Sequence, residues 1–184
     1  MRRVSRIALL TALVAGAGFA FLLWRGQEPG GIDDVYTAML GPADLGPVAF
    51  ERLARRESPN DALACPQDLC AAEPDFVTPI YDVPGARLRE IVVAVAADEP
   101  GTEQVYAGLR DEVDRFVVRT PLMRFPDTVS ARIYGAGPGR SRLALYSRSQ
   151  IGYSDMGVNR ERLTRWLDAI AERVAAEADA EPAS

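Results

Sequence analysis

Hydrophobic positions along this chain follow two periods, and the places where one gives way to the other mark its elements. Leu143 and Leu145 alternate with Ala144 and Tyr146 in the two-residue rhythm of a strand, whereas Leu163, Trp166, Leu167, Ile170 and Val174 recur at helical spacing. The switch falls between Gly152 and Asn159. Asn159 suits an N-cap, and Val158 before it can pack on Leu163, so the pattern predicts a strand, a turn and an amphipathic helix. Upstream, Leu88, Ile91, Val92 and Val95 line one face of a helix over 86–97, bounded by Pro84 and by Pro100-Gly101. Four β-like pieces lie between the helices, at 103–109, 115–120, 128–134 and 142–149, joined by RDEVD, PLMRFPD and GAGPGR. Short connections favour antiparallel pairing. The expected fold is α+β, an antiparallel sheet of about four strands with both helices covering one face.

A different pattern occupies the start of the chain. Ile7 to Trp24 is an uncharged apolar run that would form a helix about 27 Å long, preceded by Arg2, Arg3 and Arg6 and followed by Arg25. This predicts a single transmembrane helix in the inner membrane, with the N-terminus inside and the remaining chain exported to the periplasm. A cleaved signal peptide is the rival reading, because Ala15-Gly16-Ala17 and Gly18-Phe19-Ala20 resemble cleavage sites. The apolar run continues past both sites, which favours the anchor. The expected organisation is an anchor over 1–25, a Gly- and Pro-rich linker over 26–59, a globular domain over 60–172, and a fraying tail over 173–184. A short helical piece around 48–56 would order part of the linker.

Composition narrows the chemistry. The chain has 184 residues, enough for one domain and an ordinary core, and its 26 acidic residues all lie after Arg25. An acidic exported part repels a phosphate backbone, so nucleic acid is not expected as a partner. There is no histidine, which excludes Ser-His-Asp and Cys-His arrangements and histidine metal sites. Cys65 and Cys70 alone cannot close a structural zinc site. In an oxidising compartment they can form a disulfide closing a small ring, and their spacing is not the Cys-x-x-Cys of redox proteins. No motif calls for a cofactor.

The candidate site is a set of polar residues near the second period switch: Arg124, Asp127, Ser147, Arg148, Ser149, Ser154, Asp155, Asn159 and Arg160. Strand phase puts Asp127 on the same face as Val129, Ala131 and Ile133, and Ser147 and Ser149 on that of Leu143 and Leu145. Asp127 should therefore approach the two serines at the sheet's end, where a carboxylate must be paired or hydrogen-bonded. Other polar clusters are weaker. GAGPGR lies between two strands and lacks the ending of a phosphate loop, so it reads as a hairpin. Asp111, Glu112 and Asp114 occupy a turn without the spacing of a cation-binding loop.

Arg124-Phe125-Pro126-Asp127, Ser147-Arg148-Ser149 and the run from Gly152 to Arg160 (GYSDMGVNR) give the chain, from about Pro59 to Leu167, a resemblance to the family called domain of unknown function 1499. The resemblance implies an exported or membrane-associated globular domain and carries no established reaction. Gln150 stands where members often have arginine. The leading expectation is an envelope protein that binds a protein partner or small ligand without catalysis, held to the membrane through Ile7 to Trp24. An enzyme would use Asp127 or Asp155 as acid or base, with Arg148 or Arg160 holding an anionic substrate. A lipid carrier would instead need an empty apolar interior between sheet and helices.

Overall fold

Alternating side chains give the central strands of this protein two different faces, and both are covered. The computed structural model describes residues 2–27, 32–108 and 113–180. Among them, seven strands form one mixed sheet: β1 (Asp61–Cys65), β2 (Phe76–Val77), β3 (Ile80–Tyr81), β4 (Thr102–Ala107), β5 (Val113–Arg119), β6 (Pro126–Gly135) and β7 (Ser141–Ser149). The order is β2-β1-β7-β6-β5-β4, with β3 also paired to β7. Strands β4 to β7 are the expected antiparallel meander. Leu109, Asp111 and Glu112 of the expected strand and turn lie outside the described residues.

The expectation of about four strands is corrected by residues 60–84, which form part of the sheet. β1 runs antiparallel to β7, with Ala62 opposite Ser147, and β2 runs parallel to β1. β3 occupies the same edge of β7 further along, with Ile80 opposite Arg142. The cause of the miss is visible in the sequence. β1 is built on small Ala62 and Ala64, and β2 and β3 have two residues each, too few for a period to register. Cys65 and Cys70 are disulfide-bonded across a Cα separation of 6.3 Å, which ties the end of β1 to the loop that follows.

Helices α3 (Gly85–Asp98) and α4 (Val158–Ala180) cover one face of the sheet. Leu88, Val92 and Ile91 of α3 and Leu163, Trp166 and Ile170 of α4 meet Phe116, Val129, Ile133, Leu143 and Leu145 in a continuous core. Trp166 stands edge-on to Phe116 at 5.7 Å, the geometry aromatic quadrupoles prefer. Two boundaries of α4 differ from expectation. The helix begins at Val158, so Asn159 is inside its first turn rather than capping it. It also continues to Ala180, past the expected fraying point at 173. Arg173 and Glu177 reach Asp98 and Arg87 of α3, and the Ala- and Glu-rich sequence favours helix over coil.

The opposite face carries the other phase of β7, Arg142, Ala144, Tyr146 and Arg148, and it is covered by the segment expected to be a linker. That segment is corrected over its described residues. α2 (Asp33–Leu40) is followed by a strap and a 3₁₀ turn at Phe50–Arg52. Phe50 is 1% exposed and packs with Leu63, Cys65, Ala144 and Tyr146 into a second, smaller core. Polar contacts fix the strap's path. Leu45 N–H donates to Thr128 Oγ1 at 3.0 Å, Thr128 Oγ1 donates to the Ala43 carbonyl at 3.0 Å, and Arg115 pairs with Asp44 at 3.0 Å.

Residues Arg2–Gln27 form one continuous helix, α1. Ile7, Leu9, Leu10, Leu13, Val14, Phe19, Phe21 and Trp24 are all exposed, and they point to every side of it. Among the described residues, no helix is long and apolar enough to cross a membrane. A hydrocarbon core of about 30 Å corresponds to about 20 helical residues at about 1.5 Å each.

Because Phe50 is the main apolar side chain of the strap, Phe50→Ala should destabilise the domain by about 3 to 5 kcal/mol. Urea unfolding followed by tryptophan fluorescence checks this, and a loss below about 1 kcal/mol would mean the strap is not part of the cooperative unit.

Candidate functional site

At the end of the sheet where β7 turns into α4, five of the nine candidate residues come together. Asp127 on β6 lies directly opposite Ser149 on β7, as strand phase requires. The loop after β7 passes through Gly152, Met156 and Gly157, all with positive φ, before α4 begins. Asp155 takes over the cap. Its Oδ1 accepts from Gly157 N–H at 3.0 Å and its Oδ2 from Asn159 N–H at 2.9 Å, satisfying donors at the helix start that would otherwise be orphaned. A carboxylate there also meets the positive end of the helix dipole.

Asn159, released from capping, turns into the protein and is fully buried. Its amide group donates to Ser149 Oγ at 2.9 Å, to the Asn60 carbonyl at 3.1 Å and to Asp155 Oδ2 at 2.7 Å. Its carbonyl oxygen accepts from Ser147 Oγ and from Arg162. One side chain thus joins β7, the start of β1, the loop and α4.

Arg162 is the centre of the network and was not among the sequence candidates. It is 2% exposed. Its Nη2 donates to Asp127 Oδ2 at 2.8 Å, its Nη1 to Asn159 Oδ1 at 2.8 Å and to Ser147 Oγ at 2.9 Å, and its Nε to Glu99 Oε1 at 3.4 Å. Glu99, just past the end of α3, also accepts from Arg165 at 3.0 Å and from the Trp166 indole N–H. The charges of Asp127, Arg162, Glu99 and Arg165 alternate and cancel. A signal for Arg162 existed: it lies three residues after Asn159 and four before Trp166, on the buried face of the helix. Asn60, which donates to the Gly152 carbonyl at 2.8 Å, carried no such signal.

The other four candidates are elsewhere. Arg124, in left-handed backbone at φ 52°, pairs with Asp33 of α2 at 2.6 Å, and that hydrogen bond raises its pKa. Arg148 points to the strap face and donates to the carbonyls of Leu45 and Gly46 at 3.0 and 2.8 Å. Burial lowers its pKa from the ordinary value. Ser154 is exposed and accepts from Met156 N–H at 3.2 Å. Arg160 is exposed and pairs with Asp75 at 2.7 Å. Alternation sends Arg148 to the opposite sheet face from Asp127, and the carboxylate that Arg160 engages is Asp75. Gln150 donates to the carbonyl of Pro42 at 2.9 Å, helping to hold α2's end against the loop.

Beside the network, between the end of α3 and the start of α4, lies an open groove of about 410 Å³. Val95, Val118, Val158 and Trp166 line it, with Arg162, Glu99 and Arg165 along its polar side. An apolar wall with few convergent charged groups is the usual make-up of a binding site.

A model of the family described as "Protein of unknown function (DUF1499)" matches residues 53–170, so the chain belongs to that family. No curated protein matches it.

Removing one partner of the buried pair leaves the other uncompensated. Arg162→Met should cost about 3 to 5 kcal/mol, and Asp127→Leu combined with it should recover part of that loss. Asp127→Asn alone should cost about 1 to 3 kcal/mol. Equilibrium unfolding of the four proteins decides. A variant of normal stability and abundance that has lost function would make this corner a site of recognition or chemistry instead of a structural joint.

Proposed function

We propose that this member of the DUF1499 family is an exported domain held at the cytoplasmic membrane by α1, and that it binds a protein partner or small ligand in the groove between α3 and α4. The observation that carries the binding reading is the pairing state of the corner. Asp127, Asp155 and Arg162 are each engaged with fixed protein groups, and Arg162 also lines an open, largely apolar groove. Groups held this way shape a wall and set its polarity; a general acid or base needs a proton-accepting atom free to meet substrate. The carrier reading asks for an empty interior, and the space between sheet and helices is filled by Leu88, Phe116, Leu145, Trp166 and Ile170.

The anchor rests on the apolar surface around α1, which has no counterpart among the other described residues. In sequence the run continues beyond Phe21 through Leu22, Leu23 and Trp24, reaching about 27 Å as a helix. A bilayer accommodates so small a shortfall by thinning, with flanking arginines reaching for the headgroups. Arg2, Arg3 and Arg6 before the run, against Arg25 alone at its far end, orient it with the N-terminus inside.

Two measurements test the two halves. Intact mass of the native protein should include residues 1–17, and the protein should stay in the membrane pellet after carbonate extraction; a mature N-terminus at or after Gly18 rejects the anchor. A photo-crosslinking residue at Ala169, in the groove, should trap a discrete adduct in intact membranes, while the same residue at Pro138 in the distant hairpin should not. Equal capture at both positions, or at neither, rejects the groove.

A further inference from the structure

The end of the domain that carries the corner also carries large apolar side chains that its fold leaves uncovered. Met39 is 75% exposed on α2, Leu122 60% in the β5–β6 turn, Tyr153 76% and Met156 94% in the loop before α4. These three segments are neighbours. Tyr36 of α2 donates to the Met123 carbonyl at 2.9 Å, and Gln150 at the head of the loop donates to the Pro42 carbonyl just past α2. Val35, one turn before Met39 on α2, is exposed as well.

Met156 is the telling residue. Its φ of 55° is a backbone region that L side chains avoid and that glycine or asparagine would fill with less strain. The position holds instead a long apolar side chain directed into solvent. Scattered apolar residues on a surface need no explanation, but several large ones gathered on neighbouring segments at one end of a domain point to a contact surface.

Chain connectivity selects the occupant. From Gln27, the last residue of α1, to Ile32, buried at the start of α2, there are five Cα steps, which span at most about 18 Å. If α1 is seated in a bilayer, α2 and the segments packed beside it cannot leave the neighbourhood of that bilayer's surface. We infer that this end of the domain docks on the lipid surface, with Met39, Leu122 and Met156 entering the interface and Tyr153 at headgroup level, so that the domain has a fixed orientation. Flexible apolar side chains and a tyrosine suit an interfacial layer that is apolar below and wet above. The inference rests on the anchor proposed above and adds a second membrane contact to it.

Depth measurements on the full chain separate the two. Leu13→Cys, Met39→Cys, Met156→Cys and Pro138→Cys variants, with the native disulfide intact, are labelled with an environment-sensitive fluorophore. They are reconstituted into phosphatidylcholine–phosphatidylglycerol vesicles containing lipids brominated along the acyl chain. The expected result is strong quenching at Leu13, clear quenching at Met39 and Met156, and none at Pro138. Quenching at Leu13 with Met39 and Met156 as unquenched as Pro138 overturns the docking and leaves the anchor standing. No quenching at Leu13 removes the anchor and this inference with it. As a second arm, a label at Tyr153→Cys should lose its quenching when Met39→Ser, Leu122→Ser and Met156→Asn are combined, while carbonate-resistant attachment persists. Retained quenching in that variant shows that these side chains do not hold the surface, and rejects the proposal.

Discussion

A guanidinium cannot shed its charge at any ordinary pH, so a buried arginine compels its surroundings to supply acceptors. Arg162 imposes that demand where sheet, loop and helix meet, and much of the local architecture answers it. Asp127 is held at the start of β6, Glu99 at the exit of α3, and Asn159 is drawn inward from the helix start. That displacement leaves the cap to Asp155, which in turn fixes the path of the loop through its run of positive φ. The two helices are joined by the same chain of charges, since Glu99 binds Arg162, Arg165 and Trp166 together. Every basic residue of this chain is an arginine, and a fork of five donors meets several acceptors in fixed directions where a lysine would offer a single point charge.

The second constraint is that strand alternation leaves the sheet with two faces to cover. The helices take one, and the strap takes the other with Phe50 and a set of polar contacts to Arg115, Thr128 and Arg148. The strap face is the more polar of the two, which is why a segment rich in glycine and proline can cover it. Its exposed carbonyls, at Leu45 and Gly46, serve as the acceptors that Arg148 needs.

Legibility in the sequence followed the strength of each periodic signal. α3, the four-stranded meander and the body of α4 were readable because large apolar residues recur in phase along them. β1 to β3 were not, because alanines and two-residue strands carry no period. The strap was not, because its contacts come from backbone groups, the Asp44 carboxylate and a few apolar side chains around Phe50 that follow no period. In the corner, phase alone brought Asp127 to Ser147 and Ser149, yet it could not reveal their shared partner. Arg162 interrupts an apolar stripe as a charge, and only the accumulated acceptors around it show that it belongs inside. Arg148 and Arg160 were placed in the set by nearness in sequence; alternation sends the first through the sheet, and helix rotation sends the second to solvent.

The family match begins at Leu53, three residues beyond Phe50. A chain trimmed to that boundary would keep both helices, all seven strands and the whole polar corner, and would still be missing part of its own wall. Leu63, Ala144 and Tyr146 would then face water beside Arg148 stripped of its acceptors, presenting a sticky strip along the middle of the sheet. The segment recognisable as related is shorter than the segment that folds, and clumping of such a fragment would report the missing strap rather than any fault in the family domain.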